Sequence, residues 1–146
     1  MREVVFRSWK FEVDSELTQK SYQMKSNGSA DECVCEYCKN FREQRDSIFP
    51  EEIKNLLKEL SIDLNKEEEI SEYVKLENGL HLYVGNLNFA GKILSGEKFL
   101  IGNDGSIHLT EISENFSIAF GERKSSSWSE LWFETNIPWV IEAADL

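Results

Sequence analysis

Cys33-Val34-Cys35-Glu36-Tyr37-Cys38 gathers every thiol of the 146-residue chain into six positions. Three sulfurs so close together can serve one of three ends. The spacing C-x-C-x-x-C lets three thiolates reach one tetrahedral ion if the backbone turns at Val34 and again at Glu36-Tyr37. Zinc suits such a loop, because its structural sites take four ligands, often three sulfurs and one imidazole. The fourth ligand is not local. His81 and His108 are the only imidazoles, and His81 is the candidate that would complete a site with Cys33, Cys35 and Cys38. Asp31, Glu32 and Glu36 are neighbouring carboxylates. Alternatively, Cys35-Glu36-Tyr37-Cys38 is a C-x-x-C pair at a helix start, where the dipole lowers a thiol pKa and favours redox exchange. Thioredoxin-like enzymes place that pair in a βαβ unit, and none is legible here. In the third reading the thiols are small, weakly polar groups that pack a loop onto the sheet. The sequence leaves all three open.

No other group of residues concentrates chemistry. His81 alternates with Tyr83 in Leu80-His81-Leu82-Tyr83-Val84, which reads as a structural histidine on a strand, and His108 between Ile107 and Leu109 reads the same way. No serine lies in a nucleophile elbow, and Ser125-Ser126-Ser127 reads as a turn. Glu67-Glu68-Glu69 with Glu72 lacks the spacing and central glycine of a calcium loop, so it is taken as a solvated acidic face. Trp128, Trp132, Phe133 and Trp139 concentrate aromatic area near the carboxyl end, where an exposed pair would mark a partner surface.

The elements around the cysteines follow from periodicity. Residues 4–13 alternate with a two-residue period, Val5, Trp9, Phe11 and Val13 against Arg7, Lys10 and Glu12, and predict a first strand. Ser15 to Glu32 holds few apolar residues and Asn27-Gly28, and predicts a long loop that delivers the thiols. A short helix follows from Glu36 or Cys38 to about Ser47. A second starts at Pro50-Glu51-Glu52 and carries Ile53, Leu56, Leu57 and Leu60 at i, i+3, i+4 and i+7. Residues 70–76 and 80–84 flank Asn78-Gly79 and predict a β-hairpin. A slip in phase at Gly85-Asn86 predicts a bulge or bend. Further strands are predicted at 99–101 and 107–109 around Asn103-Asp104-Gly105, then at 116–120, 131–133 and 139–141. The sum is an α+β fold in a single domain, residues 1–146: a predominantly antiparallel meander with one or two short helices inserted after the first strand.

Composition restricts function. Hydrophobic residues at 40% and aromatics at 12% lie outside the disordered regime. The net charge of −11 is uneven, since residues 41–77 and 111–146 each carry about five surplus negative charges. Such a surface repels phosphate backbones, which excludes a nucleic-acid binder of the ordinary basic kind, and favours a partner with a basic or apolar surface. The charged amino-terminal decapeptide has no signal-peptide core, and no apolar run reaches the ~20 residues of a spanning helix. A cytoplasmic protein without membrane association is expected, in a reducing compartment that disfavours structural disulfides.

The run Cys33-Val34-Cys35-Glu36-Tyr37-Cys38-Lys39-Asn40-Phe41, with a proline-started helix and Gly79-Leu80-His81-Leu82-Tyr83 downstream, resembles a group of small bacterial proteins bearing a C-x-C-x-x-C-x-N-F signature. The resemblance spans about residues 33–95 and implies a bacterial source but no activity. The expected function is a non-enzymatic binding or interaction module with a Cys-rich, zinc-stabilised loop; an immunity-type protein that neutralises a toxin would suit its size and charge. The alternative is a small metal-dependent or thiol-redox enzyme centred on the same cysteines.

Overall fold

The computed structural model describes residues 1–102 and 107–145. Its order is β1 (Arg2–Phe6), β2 (Trp9–Val13), α1 (Ser15–Met24), α2 (Ser29–Glu32), α3 (Glu36–Ile48), α4 (Glu51–Glu59), β3 (Glu69–Lys75), β4 (His81–Ser95), β5 (Phe99–Leu100), β6 (Thr110–Ser113), β7 (Phe116–Glu122) and β8 (Trp128–Ile137). The α+β class is as the periodicity indicates. The sheet, however, is mixed and is not a simple meander. Its path is β1-β2-β4-β8-β7-β5, with β3 on β4 and β6 on β7, and β5 runs parallel to β7 through Phe99 opposite Gly121. That return is tied down by a Lys98–Glu122 ion pair at 2.6 Å and by Trp9 Nε1 donating to Glu97 O. Among the described residues no helix is long and apolar enough to cross a membrane.

β4 organises the sheet because it is long enough to hold three partners. It pairs with β8 in unbroken register from His81 opposite Ile137 to Ala90 opposite Trp128. Its other edge takes β3 first and β2 beyond Gly91. Its odd-numbered residues from His81 to Ile93, including Tyr83, Leu87 and Phe89, are all buried, and the register with β8 runs unbroken through Gly85 and Asn86, so the expected bulge is absent. The apparent slip arises because Leu80, Leu82 and Val84 lie on the more open face, while two polar side chains take the covered one. The predicted hairpin does form, with Gly79 at φ +87°, a value that glycine adopts without a Cβ penalty.

Three other expectations change. The single strand predicted over 4–13 is a hairpin, β1 to β2, turning at Arg7 (φ +51°) and Ser8. Across that turn the buried phase switches, so Val4 and Phe6 are inside and Val5 is exposed. The predicted loop Ser15 to Glu32 contains α1 and α2. Asp14 caps α1 by accepting from Leu17 N, and the helix docks mainly by polar contacts: Thr18 Oγ1 accepts from Ala90 N, and Tyr22 Oη donates to Asn88 O. A helix held that way shows no apolar stripe in sequence. Finally, 107–109 and 139–141 are not strands, and Asn103-Asp104-Gly105 lies outside the described residues.

The core sits between the sheet and α3–α4. Phe41 of α3 packs on Tyr83 and Phe133, and Phe49 packs on Phe116 and Phe133. Ile53, Leu56, Leu57 and Leu60 are all buried, as their spacing requires. These contacts fix the axis of α3, and with it the position of the cysteines at its amino end.

Candidate metal centre

Cys35 is the amino-terminal cap of α3. Its backbone is extended (φ −75°, ψ 160°) and its Sγ accepts from Cys38 N at 3.5 Å. Capping of this kind places Cys35 and Cys38 on the same side of the first turn, at the positive end of a 13-residue helix, where thiolate charge is favoured. Cys33 is brought back over them by the extended residues between α2 and α3. The Sγ atoms of Cys33 and Cys35 are 3.0 Å apart, and all three sulfurs lie within 4.8 Å of one another. None is in a disulfide. Such a group can hold a metal ion.

The three thiols differ in environment. Cys35 is exposed, Cys33 half-buried and Cys38 only 9% exposed. Hydrogen bonds from Cys38 and Cys35 hold the Cys33 thiol below the ordinary thiol range, with help from the nearby Arg42 guanidinium. Burial pushes the Cys38 thiol well up, and the two neighbouring sulfurs add to the effect. The two ends of the cluster are therefore shifted in opposite directions, Cys33 down and Cys38 up.

The loop is held by residues that the cysteine motif does not advertise. Arg42, in the second turn of α3, donates through Nη1 to Cys33 O at 2.9 Å and to Ala30 O. Arg45 reaches Asp31 at 3.2 Å and Glu67 at 2.9 Å. Glu67, 1% exposed, accepts from Ala30 N, while its own carbonyl accepts from Ser29 N. Gly28 is required beside it, because a Cβ there would overlap Glu67 Oε2 and come within 2.7 Å of Asn65 O. On the far side Tyr83 Oη donates to Tyr37 O at 2.7 Å. Asn40, fully buried, donates to Pro138 O and accepts from Val140 N, which docks the chain after β8 against α3. In the run Cys33 to Phe41, then, Asn40 binds that terminal segment and Phe41 anchors the helix in the core.

His81 is not part of the sulfur group. Its Nδ1 faces Glu72 and its Nε2 faces Asp145, each at 2.8 Å, and the ring packs near Tyr37 and Trp139. Both ring nitrogens are engaged, so the residue proposed as fourth ligand instead ties the terminal segment to β3 and β4. His108 is exposed and pairs with Glu97. Of the acidic cluster taken as a solvated face, Glu67 is buried and Glu72 is bound to His81. No carboxylate of the described residues joins the three sulfurs at that distance. Protein-family models, curated proteins and solved structures contain no match to this chain. Its chemistry follows from these donors alone. Arg42 and Arg45 were visible only as one polar side of a helix; the loop carbonyls and the carboxylates they bind are distant in sequence and carry no local signal.

Proposed function

We propose that the chain is a non-enzymatic binding protein whose Cys33, Cys35 and Cys38 thiolates hold a thiophilic metal ion, with zinc the first ion to test. The observation that carries this reading is the convergence of three unpaired sulfurs at the start of α3. Soft thiolate donors select zinc and copper(I) over hard cations. Binding in preference to catalysis is favoured by the imidazoles, since His81 and His108 are each committed to carboxylates and neither faces the sulfurs as a base. The net charge of −11 suits a protein partner of opposite sign.

The test is elemental analysis of untagged protein together with Co(II) titration. One equivalent of metal, a thiolate-to-cobalt charge-transfer band, and loss of both in the triple variant Cys33→Ser, Cys35→Ser, Cys38→Ser are expected. Metal-free protein that gives no cobalt band while three thiols titrate freely would defeat the reading. Turnover of a disulfide substrate by that metal-free protein would favour the thiol-redox alternative.

A further inference from the structure

Three features of the sulfur group bear on what kind of metal site it is. The first is donor number. The chain has three cysteines, and all three are in the group. Both nitrogens of His81 are bound 2.8 Å from carboxylates, and Asp31, a neighbouring acid in sequence, is held by Arg45 and by Gly28 N at 2.9 Å. A closed structural zinc site needs four protein ligands, whereas a site with three leaves one position for an outside donor.

The second feature is direction. Accessibility rises from Cys38 at the base through Cys33 to the exposed Cys35, and Val34 beside them is fully exposed. The open position therefore faces outward. The third is independence of the loop from any ion. Arg42, Arg45, Glu67, Gly28 and Tyr83 hold residues 28–37 in place by hydrogen bonds and ion pairs. Metal binding supplies folding energy where a site has no other support, and this loop has other support.

We infer that the Cys33–Cys35–Cys38 group is an open, exchangeable site that carries a thiophilic d¹⁰ cation, zinc(II) or copper(I), as cargo and not as a structural staple. This inference rests on the metal-binding reading above. Exchange proceeds by ligand substitution without any change of oxidation state. An incoming thiol from outside the chain loses its proton and its sulfur bonds to the ion at the outward position. One Cys–metal bond then breaks, and the released cysteine thiolate takes up a proton. Cys35, the most accessible sulfur, is the one positioned to let go first.

The full chain loaded with Co(II) tests this. Adding imidazole or 2-mercaptoethanol should shift the d–d bands while the protein–thiolate charge-transfer band persists, because an outside ligand enters the open position. Zinc removal by a chromophoric chelator should accelerate in proportion to chelator concentration. The metal-free protein should keep its far-ultraviolet circular dichroism and a cooperative melt, lowered only by the mass-action effect of losing a ligand. Glu32→Gln and Glu36→Gln should leave the cobalt spectrum unchanged, since neither carboxylate is a ligand. A spectrum insensitive to added ligands, chelator-independent removal and unfolding on chelation would overturn the exchange proposal while leaving metal binding intact. A carboxylate variant that alters the spectrum would overturn it as well. Failure to bind Co(II), zinc or copper(I) would instead remove the metal-binding reading itself.

Discussion

Replacing Arg42 by methionine keeps the aliphatic stem and removes the guanidinium that grips Cys33 O and Ala30 O. Hydrogen bonds from a charged donor contribute about 1.5–3 kcal/mol each when a buried partner is left unmet. Arg42 is half-buried, so water reaches part of what it leaves, and each bond is discounted to about 1 kcal/mol, about 2 kcal/mol for the pair. A chain of this length unfolds with an entropy near 0.3 kcal/mol/K, so melting should fall by about 6 °C. The larger consequence is for metal affinity. If the clamp pre-orders Cys33 over Cys35 and Cys38, the variant must supply that ordering on binding, and 2 kcal/mol corresponds to about a 30-fold weaker Kd. Competition against a chromophoric chelator reads the affinity, and calorimetry reads the melt. Arg42→Lys, a point charge without the planar fork, should fall between. A variant that melts about 6 °C lower yet binds metal with unchanged affinity would refute the reasoning, because the sulfurs would then be ordered by something other than this clamp.

Gly28→Ala should destabilise by about 1–3 kcal/mol, since the added methyl collides with the Glu67 carboxylate that caps the loop; a melting temperature equal to the parent's would show that the loop can move aside. In metal-free protein, iodoacetamide should modify Cys33 well before Cys38, because one thiol is shifted down and accessible and the other is shifted up and buried; peptide mass mapping that finds Cys38 first would contradict the geometry. Burial acts to raise the Asp145 carboxyl, but hydrogen bonds from His81 and Lys75 outweigh it and hold the group below its ordinary range. A carboxyl depressed in the folded state stabilises above its unfolded pKa and ceases to do so as pH falls through the folded value. Amide exchange at Val140 should therefore quicken below about pH 4, and Asp145→Asn should produce the same loosening at neutral pH; protection that is insensitive to both would show that Asn40 alone holds the segment.

Several elements could be read before any coordinates because their signal is local. Ile53, Leu56, Leu57 and Leu60 recur at helical spacing and all are buried, and Asn78-Gly79 makes the turn between β3 and β4. Clustered cysteines next to a helix start place their sulfurs together almost unavoidably, because capping by Cys35 sets Cys38 one turn along. Where the binding partners lie far apart in the chain, local pattern fails. α1 was hidden because it docks through Thr18 and Tyr22 and not through an apolar stripe. The β1–β2 turn was hidden because its positive φ is carried by Arg7, which no turn preference singles out.

By itself the sequence determined an α+β protein, strongly acidic, with all its cysteines at the mouth of one helix. Those properties depend on composition and on neighbours a few residues apart. Only the tertiary structure decided that His81 belongs to Glu72 and Asp145 and not to the sulfurs, that Glu67 is buried against Arg45, and that Cys38 is buried while Cys35 is exposed. The His81 and Glu67 contacts join partners from 9 to 64 residues apart along the chain. Which imidazole nitrogen or carboxylate is free to bind an ion is settled by competition among such partners, and that competition takes place only after the chain has folded.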